Sequence, residues 1–206
     1  MVAIIIIAVV VLVGLFVVAG INRLRGQRVS VDEAMAGIDV QLTRRAELIP
    51  NLVETVKGYA AHERGTFEQV TAARAAAASA KTVGEKAAAD GQMQTALANL
   101  FAVAEAYPDL KASQNFQQLQ AELARTEDQL AFARQYYNDA AAKLNRTMVT
   151  IPWSMLVGLA GVQKAAFYDA PEAHSAVSQV SFDTGGTAAP APAVTSAPAP
   201  GEPPAG

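Results

Sequence analysis

The sequence predicts an all-α fold. The expected architecture is an N-terminal transmembrane helix, then an antiparallel bundle of three long helices plus a short fourth, with a disordered C-terminal tail. Three observations carry this. The run Val2 to Ile21 holds no charged residue. The middle of the chain places its apolar residues at steps of three and four, with no convincing strand alternation. Alanine is abundant while aromatics make up only 6% of the chain, which favours helix over sheet. The implied parts are an anchor over 1–22, a bundle over 23–184 and a tail over 185–206.

The segment VAIIIIAVVVLVGLFVVAGI rises about 30 Å as a helix, the thickness of a bilayer hydrocarbon core. A signal peptide would carry a basic stretch before a shorter apolar run, and nothing basic precedes this one. An uncleaved, single-pass cell-membrane anchor is expected. Arg23, Arg25 and Arg28 follow the span and no Lys or Arg precedes it, so the positive-inside rule puts the bulk of the chain in the cytoplasm.

In the first bundle segment the seam reads Val31, Met35, Ile38, Leu42, Ile49, Leu52, Val56, Tyr59 and Val70. Ser30 with Glu33 suggests a capping box at its start, and the helix could run to about Ala80. Arg45 and Glu63 fall on seam positions. Pro50 removes a helical hydrogen bond, so a kink is expected near Ala46 to Pro50, freeing a carbonyl for Arg44 or Arg45. After an alanine-dense stretch, Gly84 or Gly91 marks a turn. A second helix then presents Met93, Leu97, Leu100 and Ala104 and ends at Tyr107-Pro108-Asp109. The third begins near Ser113 with a nearly strict seam: Phe116, Leu119, Leu123, Thr126, Leu130, Ala133, Tyr137, Ala140, Leu144. Pro152 stops it. Trp153 to Tyr168 reads as a short fourth helix covering the bundle end or lying on the membrane, and HSAVSQVSF as an extended strap. Six of the ten prolines lie in the last 22 residues, whose Ala-Pro alternation cannot bury a core.

Composition and motifs exclude several chemistries. A net charge of −3 gives no basic face, so no nucleic acid partner is expected. With no cysteine, disulfides, thiolate metal sites and cysteine catalysis are excluded. His62-Glu63 lacks the second histidine of a zincin helix, because position 66 is Thr66. Neither His62 nor His174 has a Glu three residues before it, so no di-iron motif forms. There is no G-x-S-x-G and no glycine-rich phosphate loop. The pairs Asp32-Glu33 and Glu127-Asp128 point about 100° apart on a helix and read as solvated faces. No catalytic residue, metal or cofactor is expected.

The seam charges suggest a structural polar layer. Arg45 and Arg44 would meet Glu122, Glu127 or Tyr137 from the third helix, with Glu54 and Lys57 extending the layer and Glu63 on the same stripe. The alternative is that the stripe drifts around the helix and leaves Arg45 exposed.

The strings VDEAMAGIDVQL, RRAELIPNLVETVKGYAAHE, LFAVAEAYPDLKASQNFQQLQ and ELARTEDQLAFARQYYN, with Asn145 and Pro152, together resemble the LemA family from the anchor through about Phe182. One departure is Leu144, where the family usually has Tyr. The resemblance implies an anchored all-α domain with long helices, in a family without defined catalytic residues, some of whose members look connected to membrane organisation or envelope homeostasis in bacteria. The function expected is a membrane-anchored scaffold or interaction module, with an unknown protein partner or self-association. The alternatives are a signalling or accessory subunit, for which Pro50 is the candidate hinge, and an enzyme using the Arg/Glu layer on a small molecule.

Overall fold

The computed structural model describes residues 1–168 of the chain. The predicted strap at 174–182 and the proline-rich tail lie outside the described residues. All regular structure described is helical. The elements are α1 (Val2–Lys57), α2 (Arg64–Ser79), α3 (Val83–Glu105), α4 (Pro108–Ala112), α5 (Gln114–Val149), a 3₁₀ turn (Trp153–Leu156) and α6 (Val157–Ala160).

The apolar span and the first bundle helix are one continuous helix of 56 residues, about 84 Å long. Its most apolar 18-residue window has a mean hydropathy of 3.5 and none of it is buried, so this helix is long and apolar enough to cross a membrane. Burial begins at Gly20 and Leu24. Ser30 therefore lies inside a helix rather than at its start, and its Oγ donates to the Gly26 carbonyl. Its capping signal is local, and the helix arriving from the span overrides it. The helix also continues through Pro50 to Lys57.

The first bundle helix stops at Lys57 instead of reaching Ala80. The reason is the register of its partner. Arg44 faces Glu122, and α5 begins only eight residues before Glu122, at Gln114. α5 still flanks α1 at Thr55, which shares a groove with Asn115 and Gln118, and just beyond that α1 runs out of α5 to cover it. The chain turns through Gly58–Glu63, burying Ala60, and α2 returns so that Phe67, Val70 and Ala73 join the core. Tyr59, expected on the seam, is 47% exposed, and Ala60 takes the buried place.

α3 starts one residue before Gly84, at a capping box. The Thr82 hydroxyl accepts from the Glu85 amide at 3.2 Å, while the Glu85 carboxylate accepts from the Thr82 amide at 2.9 Å. Tyr107-Pro108 ends α3 as expected, with Pro108 opening the single turn α4. α5 starts after Ser113 as its strict seam predicts.

Ion pairs fix the directions. Lys86 pairs with Asp39 and Asp90 with Arg45, so α1 and α3 run parallel. Asp90–Arg134 and Gln94–Glu127 contacts set α5 antiparallel to α3 and hence to α1, and α2 packs chiefly on α3. The core forms two clusters. A distal one gathers Ile49, Leu52, Val56, Phe67, Val70, Leu97, Leu100 and Leu123. The other, nearer the span, gathers Leu24, Val31, Ile38, Leu130, Tyr137 and Leu144.

The fourth helix is shorter than the sequence suggests. One 3₁₀ turn and one α turn end at Gly161, whose φ of +65° reverses the chain. Residues 162–168 then run extended along α5. Asn145 exchanges two hydrogen bonds with the Ala165 backbone, both 2.9 Å. Asn138 does the same with Tyr168, at 3.1 and 2.8 Å. Seven helical residues rise about 10 Å, and three extended residues cover the same distance. The two asparagines thus clip the extended segment in register, each acting as a strand edge.

Thr82→Ala is expected to cost about 1 kcal/mol of stability by removing the cap of α3. Urea unfolding should show the loss as a lower midpoint at unchanged slope.

Candidate functional site

The charged cluster of the bundle lies between the two apolar clusters. Arg45 of α1, with only 7% of its side chain exposed, donates from Nη1 to Asp90 Oδ1 of α3 at 2.7 Å. Arg134 of α5 donates from Nη2 to the other oxygen of Asp90 at 2.6 Å, and to Glu127 Oε1 at 3.2 Å. Arg45 Nη1 also lies 3.2 Å from Glu127 Oε2, an ion contact without hydrogen-bond alignment. Gln94 donates to Glu127 at 3.1 Å, and the Tyr168 hydroxyl donates to Asp90 at 3.1 Å. Two cations and two anions from three helices therefore neutralise one another, closed by a tyrosine that the extended segment delivers.

Asp90 is the centre of the cluster and the most buried member, with 3% of its side chain exposed. Burial raises its carboxyl above the ordinary range, although Arg134 and Arg45 oppose that shift. Burial, together with the neighbouring Asp90 charge, raises the Tyr168 hydroxyl well above the usual phenol range, so it stays protonated as the donor.

The sequence-predicted residues separate into two groups. Arg45 and Glu127 meet in the buried layer. Arg44 does not join them: it is half exposed and pairs with Glu122 at 3.1 Å on the outer α1–α5 surface. Glu54 pairs with Lys57 at 3.0 Å in solvent. Glu63 sits at the N-terminus of α2 without a side-chain cap bond. Tyr137 is buried in the cluster nearer the span, and its hydroxyl donates to the Ala166 carbonyl at 2.8 Å. Both arginines near Pro50 donate to side chains of other helices.

Asp90, Gln94, Arg134 and Tyr168 were not predicted. Asp90 stands three residues before Met93 and seven before Leu97, so it is an acidic residue on the apolar stripe of its helix. The test that singled out Arg45 would have found it. Arg134 follows Glu127 by seven, one heptad along the same face. Tyr168 carries no local signal, because only the turn at Gly161 and the asparagine clips bring it to Asp90.

A cavity of about 670 Å³ opens beside this layer, with Arg45, Asp90 and Glu127 at one end and Leu97, Phe101 and Leu123 at the other. Arg44 and Glu54 do not line it. The carboxylates at its charged end are held by arginines, an arrangement that orients helices more readily than it moves protons. Among the described residues, no three His, Cys, Asp or Glu side chains gather as a metal site.

A helix able to span a bilayer, continuing into an α-helical bundle closed by a buried ion-pair layer, defines the class of this protein. The chain belongs to the LemA family, whose model matches residues 34–182. Similar curated proteins are "Magnetosome protein MamQ 2" and "Magnetosome protein MamQ 1" of Paramagnetospirillum magneticum. Each is 28% identical over 156 residues, covering 63% of this chain and 57% of theirs. "Magnetosome protein MamQ" of Magnetospirillum gryphiswaldense is 24% identical over 159 residues, covering 65% and 58%. The chain thus spans less than two thirds of the length of the curated relatives it matches.

Removing one member of the buried layer leaves its partners charged and unmatched. Asp90→Ala and Arg45→Ala are each expected to cost about 3–5 kcal/mol, whereas Arg44→Ala should change stability by about 0.5 kcal/mol or less. Thermal unfolding of the three variants makes the comparison; equal effects at 44 and 45 would refute the layer. Titration adds a second check. Folded Asp90 keeps its proton to a higher pH than the unfolded chain does, so its contribution to stability falls as pH rises through its folded titration. Asp90→Asn should remove that slope in urea melts spanning roughly pH 4 to 7.

Proposed function

We propose that this protein is a membrane-anchored helical scaffold, binding a protein partner or a second copy of itself through its bundle. One observation carries the reading: the span and the bundle wall are the same uninterrupted helix, Val2–Lys57. A flexible tether would let a domain roam, whereas a continuous helix holds it at a set height and rotation above the bilayer. Residues 1–22 serve as the anchor and 23–184 as the bundle, followed by the tail at 185–206. The arginines after the span favour a bundle on the cytoplasmic side.

The outer surface of the α1–α5 pair supports the binding role. Phe132 and Tyr136 of α5 are 72% and 57% exposed and flank a groove of about 490 Å³ whose α1 side includes Gly37 and Gln41. Aromatic side chains around a groove are a common form of protein-recognition surface. The relatives named magnetosome proteins fit a role in a cellular structure rather than in a metabolic reaction. The buried layer, with its charges mutually paired, supports a non-enzymatic reading.

A photo-crosslinking residue at Phe132 in native membranes is expected to give one discrete adduct, either of doubled mass or with a single other protein. The same residue at Glu68, on the exposed side of α2, should give none. Absence of any adduct at Phe132, or identical adducts at both positions, would count against this surface.

A further inference from the structure

The turn between Ile151 and Ala160 has a feature the scaffold reading does not use. It exposes Ile151 and Met155 at 78% each and Leu159 at 65%, spaced four residues apart. Scattered exposed apolar residues are ordinary. These are different, because the turn is fixed against the apolar span itself. The Trp153 ring stacks on Phe16, with centroids 5.5 Å apart. The Arg23 guanidinium lies over the same indole, 4.9 Å from its centroid. Arg25 Nε donates to the Ala160 carbonyl at 3.3 Å. Gly20 allows the approach: a Cβ there would stand 2.3 Å from Leu156 Cδ1. The turn is thus held beside the last two turns of the uncharged segment, continuous with the surface that faces lipid.

Depth and charge agree. Phe16 precedes Arg23 by seven residues, about 10 Å along the helix. If the uncharged stretch fills the hydrocarbon core, Trp153 sits at its outer edge, the level where tryptophan is favoured. Just above, residues 20–31 and 143–165 supply Arg23, Arg25, Arg28, Lys143, Arg146 and Lys164, and no Asp or Glu. Arg28 is drawn toward Asp32, leaving the others to face anionic headgroups.

We infer that the turn Ile151–Ala160 is a second membrane contact, inserted into the interface of the bilayer that α1 spans. Ile151, Met155 and Leu159 sit among the acyl chains, and the basic collar meets lipid phosphates. This inference rests on the anchor reading. Two contacts fix the tilt of the bundle as well as its height, which a single span cannot do.

The chain has one tryptophan and no cysteine, so Trp153 is read in the unlabelled protein and each introduced cysteine, carrying an NBD label excited in the visible, is read in its own sample. The full-length protein is reconstituted into phosphatidylcholine–phosphatidylglycerol vesicles carrying lipids brominated either near the headgroup or at mid-chain. Trp153 and a Met155→Cys label are expected to lose roughly half their emission to the shallow bromines and less to the deep ones. A Leu12→Cys label should be quenched most by the deep bromines. If the Leu12 label is quenched while Trp153 and the 155 label escape both lipids and stay open to aqueous iodide, the turn is not in the membrane and the inference falls alone. If the 155 label is shielded from iodide in native membranes yet unquenched by brominated lipid in vesicles, a protein covers the turn, which overturns it as well. If the Leu12 label also escapes, the anchor reading falls and the inference with it.

Discussion

The contact between Arg45 and Asp90 is the interaction on which the rest of the bundle depends. A buried ion pair adds little net stability compared with a well-packed apolar pair, because both charges must leave water. Its effect is on choice among alternatives. Leucines in a helical seam can slide by one heptad with modest loss, but an arginine that slides leaves a buried carboxylate unmatched. Asp90 accepts from Arg45 of α1 and Arg134 of α5 at once, so a single carboxylate sets the register of three helices. The apolar clusters on either side are free to be ordinary core because the layer between them has fixed which residues face which.

From that layer a chain of contacts runs to the membrane end. Tyr168 donates to Asp90, which places the end of the extended segment. Asn138 and Asn145 hold the segment along α5, and Gly161 turns it back into the short helical turns beneath. Those turns rest on Gly20, in the same helix that carries Arg45. The circuit therefore closes on α1. Its members are polar where a segment must be placed and apolar where it need only be covered, the usual division between hydrogen bonds that specify and burial that stabilises.

How much of this was legible follows from which signals are local. The 3-4 seam of α5 needs no partner to be recognised, and it placed Ser113 and the long third helix correctly. The cap at Thr82 is equally local, but the nearby Gly84 and Gly91 are the more conspicuous turn signals and mask it. The break at Gly58 could not be read locally, because it depends on where α5 begins, more than fifty residues later. Ser30 misled for the opposite reason: its capping pattern is sound for a helix that starts there, and this helix starts in the span. In the polar layer, an out-of-place charge pointed to Arg45. Proximity in sequence then suggested Arg44 and Glu54, and the seam position suggested Glu63; all three lie outside the layer, and Glu127 came from the third helix. A charge on an apolar stripe says that a partner exists. It does not say which helix supplies it, since that depends on inter-helix register.

Pro50 stands one turn beyond Arg45, at the start of the distal cluster. A proline inside a helix forfeits one backbone hydrogen bond, and the helix persists only if packing on both sides holds its axis. Here Arg45 is fixed by charge on one side, and Ile49, Leu52 and Val56 are fixed by burial on the other. The weakest point of α1 is thus placed where two independent constraints meet. That arrangement bears directly on the idea of a hinge. A hinge needs one flank to be released, and the flank facing the membrane cannot be released without separating Arg45 from Asp90 inside the bundle. Any bending at Pro50 would therefore move only the end of α1 against α3 and α5, on which α2 and the rest of the distal cluster are carried, while the layer, the extended segment and the membrane-facing turn stayed together as one unit on the span.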